Sequence, residues 1–190
     1  MALSEAALRD AANKLIAHHR RASEIGEWTF FVDEMYAPAC VYTCEYAGTL
    51  FVRANSREEI KATHYGRDMQ VGWEGWTFPY EGVYAGSENR VVTHWWNRGP
   101  GTRPDGSYYQ TPGISFLTFD DNSQIVRQFD VFDLAHQMKL CDELEAAAQR
   151  EGMPDLIDRI ADGSAVNTVE ELVEWVKEKD HPVLEMGPMD

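Results

Sequence analysis

Residues 91–98 read VVTHWWNR, a β-branched run with a histidine inside it and two tryptophans after it. Alternate side chains of a strand share a face, so His94 and Trp96 point one way and Trp95 the other. An imidazole titrates near neutrality and can act as general acid or base. The reading taken here turns His94 and Trp96 into a pocket; the opposite parity leaves His94 in solvent with Trp95 buried. The second candidate is Asp130 in RQFDVFD, where Gln128, Asp130 and Phe132 share a face. A carboxylate flanked by Phe129 and Val131 is costly to bury without partners, and burial raises its pKa into a working range. Asp130 facing His94 would make a base with an orienting carboxylate, and Phe132 would contact the ligand.

Other residues could assist. Tyr42 and Tyr46 share a strand face with Cys40 and Cys44, and a pocket phenol can donate to a developing oxyanion; core packing is the competing role for Tyr42. Tyr109 is a similar candidate on another strand, beside Thr111. In KATHYGRDMQVGWEGW (61–76), His64 and Arg67 lie near a helix end. Arg67 could hold an acidic or phenolate oxygen, since a guanidinium stays charged and presents several donors. Trp73 and Trp76, with Gly72 and Gly75 beside them, read as an aromatic lid that would stack on an aromatic substrate; an oligomer interface is the alternative. The sequence contains no HExxH motif, no paired His-x-His and no acidic cluster at ligand spacing, so no metal is expected.

Composition narrows the classes. The chain has 190 residues and a net charge of −15, a field that repels phosphate backbones and argues against nucleic acid. No apolar run approaches the ~20 residues of a membrane span, and the first residues, MALSEAALRDAANKL, form a charged amphipathic helix rather than a signal peptide. A cytoplasmic location is the expectation. Three cysteines do not suggest a disulfide framework.

These side chains need elements to hold them. Residues 4–24 carry apolar positions at helical spacing behind Ser4, and Gly26 interrupts them. A short helix follows over 27–36, ended by Ala37-Pro38. Residues 39–54 alternate as two strand segments with a turn at 47–49. Ser56 and Glu59 form a capping box that opens a helix over 57–72. Four aromatic, β-branched runs then alternate with GSEN, GPGTRPDG and DDNS, which is the pattern of an antiparallel meander. Residues 134–150 form a further helix, two short helices follow at about 154–162 and 168–179, and the end, HPVLEMGPMD, reads as a loose tail. Helices gathered on one face of a curved antiparallel sheet make an α+β fold: a cone over 1–135 with an aromatic-lined mouth, and a helical extension over 136–190.

Order and spacing of short motifs carry a resemblance. SEIGEW (23–28) followed by YAPACVYT (36–43), SREEI (56–60) and QFDVFDL (128–134) resemble the nuclear transport factor 2-like superfamily, particularly its SnoaL-like enzymes, over about residues 5–135. The resemblance implies cofactor-independent acid–base chemistry inside a cone. It also implies that Asp130 matches the catalytic Asp of the epoxide hydrolase-like members. Glu24 stands where dehydratases of this fold carry an Asp, and the change of residue weakens that carry-over. The specific expectation is a lyase like the sphingomonad diarylpropane lyases, which deformylate lignin-derived aromatic diols to stilbenes. The alternatives are a dehydratase, isomerase or polyketide-type cyclase of the same fold, or a non-catalytic binding protein. The aromatic content argues for a homo-oligomer, a dimer or trimer.

Overall fold

The computed structural model describes residues 2–45, 50–69, 75–151 and 184–186. Helix α1 (Glu5–Ile25) begins where the Ser4 hydroxyl accepts the Ala7 N–H at 3.2 Å. It stops at Gly26, whose φ of 67° is the left-handed cap that glycine adopts without penalty. Leu8, Ala11, Ala12, Leu15 and Ala22 form its buried stripe. Helix α2 (Trp28–Met35) buries Trp28, Phe31, Val32 and Met35. The chain passes from it directly into strand β1 (Tyr36–Glu45), where Pro38 falls in the irregular register between Tyr36 and Val41. A proline has no N–H to give a ladder and is tolerated at such a break.

The remaining strands are β2 (Leu50–Ala54), β3 (Tyr80–Ala85), β4 (Arg90–Thr102), β5 (Tyr108–Phe119), β6 (Ile125–Phe132) and β7 (Leu184–Met186). The sheet order is β3-β4-β5-β6-β1-β2-β7, with β1 parallel to β6 and the other pairs antiparallel. The meander expected from the sequence is therefore present in β3–β6. Register shifts within β3–β4, β4–β5, β5–β6 and β1–β6 mark the irregularities that bend such a sheet. The fold is the α+β cone: N-terminal helices against a curved, unclosed sheet.

Three local differences from the sequence reading have physical causes. Ser56 caps helix α3 (Arg57–Ala62) by accepting the Glu59 N–H at 3.1 Å, but the Glu59 carboxylate reaches back to the Asn55 N–H rather than to that of Ser56. The helix also ends at Ala62 instead of continuing through the sixties. Thr63 leaves the helical region and bonds its hydroxyl to the Glu59 carbonyl at 2.7 Å, and a π turn spans His64–Asp68. Gly66 permits that turn, because a Cβ there would stand 1.9 Å from the Lys61 carbonyl oxygen. Third, the tail read as loose contributes β7, which pairs with β2. The expected turn at 47–49 and the helices at 154–162 and 168–179 lie outside the described residues.

Helix α4 (Leu134–Glu151) packs on β5. Leu140, Cys141, Leu144 and Ala147 bury Trp76 and Tyr109 beneath it, and the Thr111 hydroxyl bonds Gln137 Oε1 at 2.7 Å. Among the described residues no helix is long and apolar enough to cross a membrane.

Candidate functional site

The register of β4, β5 and β6 decides which side chains can meet. Thr93, Ser115 and Asp130 stand opposite one another in a row across the three strands; His94, Ile114 and Val131 form the neighbouring row on the other face. The first row is buried against the helices. In the second row Ile114 is 40% exposed. His94 therefore lies on the outer face, packed beside Trp96 with ring centroids 5.2 Å apart, and it cannot pair with Asp130. Trp96 is also outside, donating to Glu81 Oε2 at 3.0 Å. Trp95 is the tryptophan that faces inward: its indole lies over Gly113 and its Nε1–H donates to Ser115 Oγ at 2.8 Å.

Asp130 sits at the centre of the inner face with 5% of its surface exposed. Burial raises its pKa to about 6, although hydrogen bonds from Ser115, Gln128 and Tyr42 pull in the opposite direction. An indole N–H only donates, so the Ser115 oxygen accepts from Trp95 and its single proton is free for the carboxylate. Gln128 is equally constrained. Its Oε1 accepts the Tyr36 hydroxyl, and its Nε2 donates to both Asp130 oxygens at 2.9 and 3.0 Å and to the Tyr65 oxygen at 3.2 Å. The carboxylate is thus held at fixed orientation by three strands. The hydroxyl of Thr93 in the same row is buried with no hydrogen-bond partner among the described residues.

The helices supply an aromatic roof. His19 of α1 stacks on Tyr80 with centroids 4.1 Å apart, and Trp28 and Phe31 meet the imidazole edge-on at 5.1 and 5.6 Å. Burial lowers the pKa of His19 to about 3, so the ring stays neutral. Burial first, and then electrostatic coupling to Tyr65 and Asp130, raise the Tyr80 hydroxyl well above the ordinary tyrosine range. Tyr36 and Tyr65 are raised likewise, chiefly by burial. These phenols keep their protons, so they hydrogen-bond as neutral hydroxyls and none of them serves as a base. Tyr80 also forms the wall of a cavity of ≈470 Å³ between α1 and the edge strand β3, together with Ile16, His19, Phe78, Pro79 and Val83. The volume lies within the range of small-molecule sites.

The other expected site residues divide by environment. Tyr42 lies inside the cone, bonded to His64 Nε2 at 2.9 Å and beside Asp130. Phe132 shares the Asp130 face and is half-buried. Trp76 and Tyr109 are buried in one apolar cluster with Leu140, Cys141, Leu144 and Ala147 of α4. Glu24 is a half-exposed helix-end carboxylate near Arg21, at 3.7 Å, on the rim of the α1–β3 cavity. Trp73 and Tyr46 lie outside the described residues, and Arg67 is placed only by its backbone in the π turn. The sequence reading gave no site role to Ser115, Tyr36, His19 or Tyr80, and held an inward Trp95 only as the opposite parity of its strand. A signal for Ser115 was present: in TPGISFLTF it stands in phase with Thr111, Leu117 and Phe119, the buried set. Among the described residues no group of three or more His, Cys, Asp or Glu is placed to hold a metal ion.

Comparison with known proteins agrees with this fold. An LEH-like epoxide hydrolase from M. tuberculosis superposes with a TM-score of 0.55 at 17% identity, covering 75% of this chain and 97% of that one. An NTF2-like protein from Burkholderia thailandensis gives 0.52 at 20% identity, covering 68% and 95%. TerC, co-crystallised with polyporic acid, gives 0.51 at 13% identity, covering 68% and 97%. At these identities the likeness is one of fold. No curated protein matches the chain. A family model for the C-terminal part of the ACS/CODH beta subunit matches residues 127–190, less than half of the chain, and assigns nothing by itself. The SnoaL-like domain model matches residues 18–128, which contain α2, the π turn, β1–β5 and β6 as far as Gln128. The chain belongs to the SnoaL-like family.

Proposed function

We propose that the protein is a cofactor-independent enzyme in which Asp130 moves a proton on a hydrophobic aromatic small molecule. The observation that carries this is a buried carboxylate, oriented by Ser115, Gln128 and Tyr42, whose pKa burial has raised to about 6. Such a group is a competent base just above that pH and a competent acid just below it. Family membership supports the reading, since SnoaL-like proteins are typically cofactor-free isomerases, cyclases and hydrolases. TerC, with the same fold, was co-crystallised with polyporic acid, which supports a small organic ligand. The aromatic walls around Tyr80 and His19 support stacking on an aromatic one.

Within that class the specific proposal is elimination, and first among eliminations the deformylation of a lignin-type aromatic 1,3-diol to a stilbene. Asp130 would take the proton of the hydroxymethyl group. The C–C bond would break to release formaldehyde, its electron pair forming the new double bond as the benzylic hydroxyl leaves. Tyr80, keeping its own proton, would hydrogen-bond the leaving oxygen, and the proton that Asp130 has taken from the hydroxymethyl group would pass to that oxygen, so that it departs as water and Asp130 returns to carboxylate. The test is turnover of aromatic diols and phenolic dimers without added cofactor, followed by the ultraviolet absorbance of the conjugated product. Asp130→Asn should lower kcat by at least ~100-fold. Unchanged turnover in that variant refutes the assignment of Asp130. Loss of water without formaldehyde would redirect the reaction to a dehydratase.

The outer sheet face supports a homo-oligomer as part of the same proposal. Tyr84, Phe116 and Ile114 are 62%, 48% and 40% exposed there, beside His94, Trp96 and Phe129, and contiguous apolar surface of that kind marks an interface. Sedimentation equilibrium of wild type and Phe116→Glu tests it: a dimer or trimer that dissociates in the variant is expected, and a wild-type monomer refutes it.

A further inference from the structure

We propose that His64 and Tyr42 form a proton relay to Asp130, through which the buried carboxylate exchanges its proton. The relay rests on the reading of Asp130 as the acid–base group and adds the route by which it is reset. Asp130 is 5% exposed and Tyr42 1% exposed, so neither meets bulk water freely, whereas His64 is half-buried. The Tyr42 hydroxyl stands 2.9 Å from His64 Nε2, and Tyr42 pairs in register with Gln128, whose Nε2 donates to both Asp130 oxygens, so the phenol lies beside the carboxylate and helps hold its pKa down. The two rings stack at 4.5 Å with 22° between their planes, and Tyr65 meets the imidazole edge-on at 4.8 Å. The π turn places His64 and Tyr65 side by side against β1, and Gly66 permits that turn.

A phenol carries one proton, which fixes how the chain can work. With Asp130 ionised, Tyr42 donates to the carboxylate and His64 Nε2–H donates to the Tyr42 oxygen. With Asp130 protonated, the bonds reverse: Asp130 donates to Tyr42 and Tyr42 donates to an unprotonated Nε2. Transfer moves the Asp130 proton to the Tyr42 oxygen while the Tyr42 proton passes to Nε2. Asp130 ends as carboxylate, Tyr42 as phenol and His64 as imidazolium, which then releases its proton. The Asp130 oxygen loses one O–H bond, the Tyr42 oxygen loses one and gains one, Nε2 gains one N–H bond and Nδ1 releases the proton, and no co-reactant is needed. Among the described residues, the other titratable side chains facing Asp130 are Tyr36, Tyr65 and Tyr80, all held protonated by burial, and Cys44 opposite it on β1. Histidine is the side chain whose ordinary titration range overlaps that of Asp130.

The experiment is a titration of the full chain by NMR, following the Asp130 carboxyl carbon and the His64 ring, in wild type, Tyr42→Phe and Asp130→Asn. The expected result is coupled titration in wild type, a lowered His64 midpoint in Asp130→Asn, and a His64 curve in Tyr42→Phe that no longer responds to Asp130→Asn. An identical His64 midpoint in wild type and Asp130→Asn overturns the relay. On a turned-over substrate, His64→Ala should lose about 10- to 100-fold in kcat with little change in KM, and added imidazole should restore part of it. Unchanged kcat also overturns the relay. Absence of turnover in wild type refutes the reading of Asp130 instead, and the titration still decides the relay because it needs no substrate.

Discussion

Asp130 should make the protein less stable as it ionises. Its pKa is about 6 in the folded chain against 3.8 for an ordinary aspartate, and a difference of that size corresponds to about 3 kcal/mol when the folded group is fully charged. The folded state binds this proton more tightly than the unfolded chain does, so the stabilisation is complete below the unfolded pKa and is lost as pH rises through the folded one. Integrated from about pH 4.5 to about pH 7.5, the loss is about 2 kcal/mol. Other carboxylates and histidines titrate in the same window, so the quantity to measure is the difference between wild type and Asp130→Asn. Urea unfolding across that range should show wild type losing about 2 kcal/mol relative to the variant, with unchanged denaturant slopes. The midpoint of that difference curve should lie below the pH at which kcat/KM reaches its plateau, because catalysis follows the folded pKa alone. A difference that stays flat with pH means Asp130 titrates normally. That result would remove the physical ground for its assignment as the acid–base group.

Three further outcomes follow from named contacts. Ser115→Ala deletes the largest of the hydrogen bonds that hold Asp130 down, so the acidic limb of the kcat/KM profile should move up by about one unit; an unmoved limb refutes the Trp95–Ser115–Asp130 arrangement. His94→Ala should change kcat/KM less than about 2-fold, since the side chain lies on the outer face; a loss comparable to that of Asp130→Asn would show the face assignment to be wrong. Gly66→Ala places a methyl 1.9 Å from the Lys61 carbonyl oxygen. It should destabilise by about 1–3 kcal/mol in urea unfolding and displace His64 from Tyr42, visible as a changed His64 ring shift.

Asp130 could be read directly from RQFDVFD, because a carboxylate in phase with buried residues on an apolar strand is costly and must be partnered. His94 could not. In VVTHWWNR both parities carry apolar residues, Val91 and Trp95 on one and Val92 and Trp96 on the other, so periodicity has no preferred face. The outer surface of this sheet is itself apolar, with Ile114 and Phe116 exposed, which removes the polarity contrast that normally fixes a strand's phase. Trp76 was ambiguous for a related reason. An aromatic next to a glycine reads equally well as a lid or as a core side chain, and the docking of α4 is what buries it. Sequence alone determined the elements, because caps, turn residues and strand runs act over a few neighbours: Ser4, Gly26, Ser56 and the turns between β3 and β6 all work locally. The site was decided by the tertiary structure. Tyr42, His64, Ser115, Gln128 and Asp130 come from four segments, and only the pairing of β1 with β6, the register of β4–β6 and the π turn at His64–Asp68 bring them to one carboxylate.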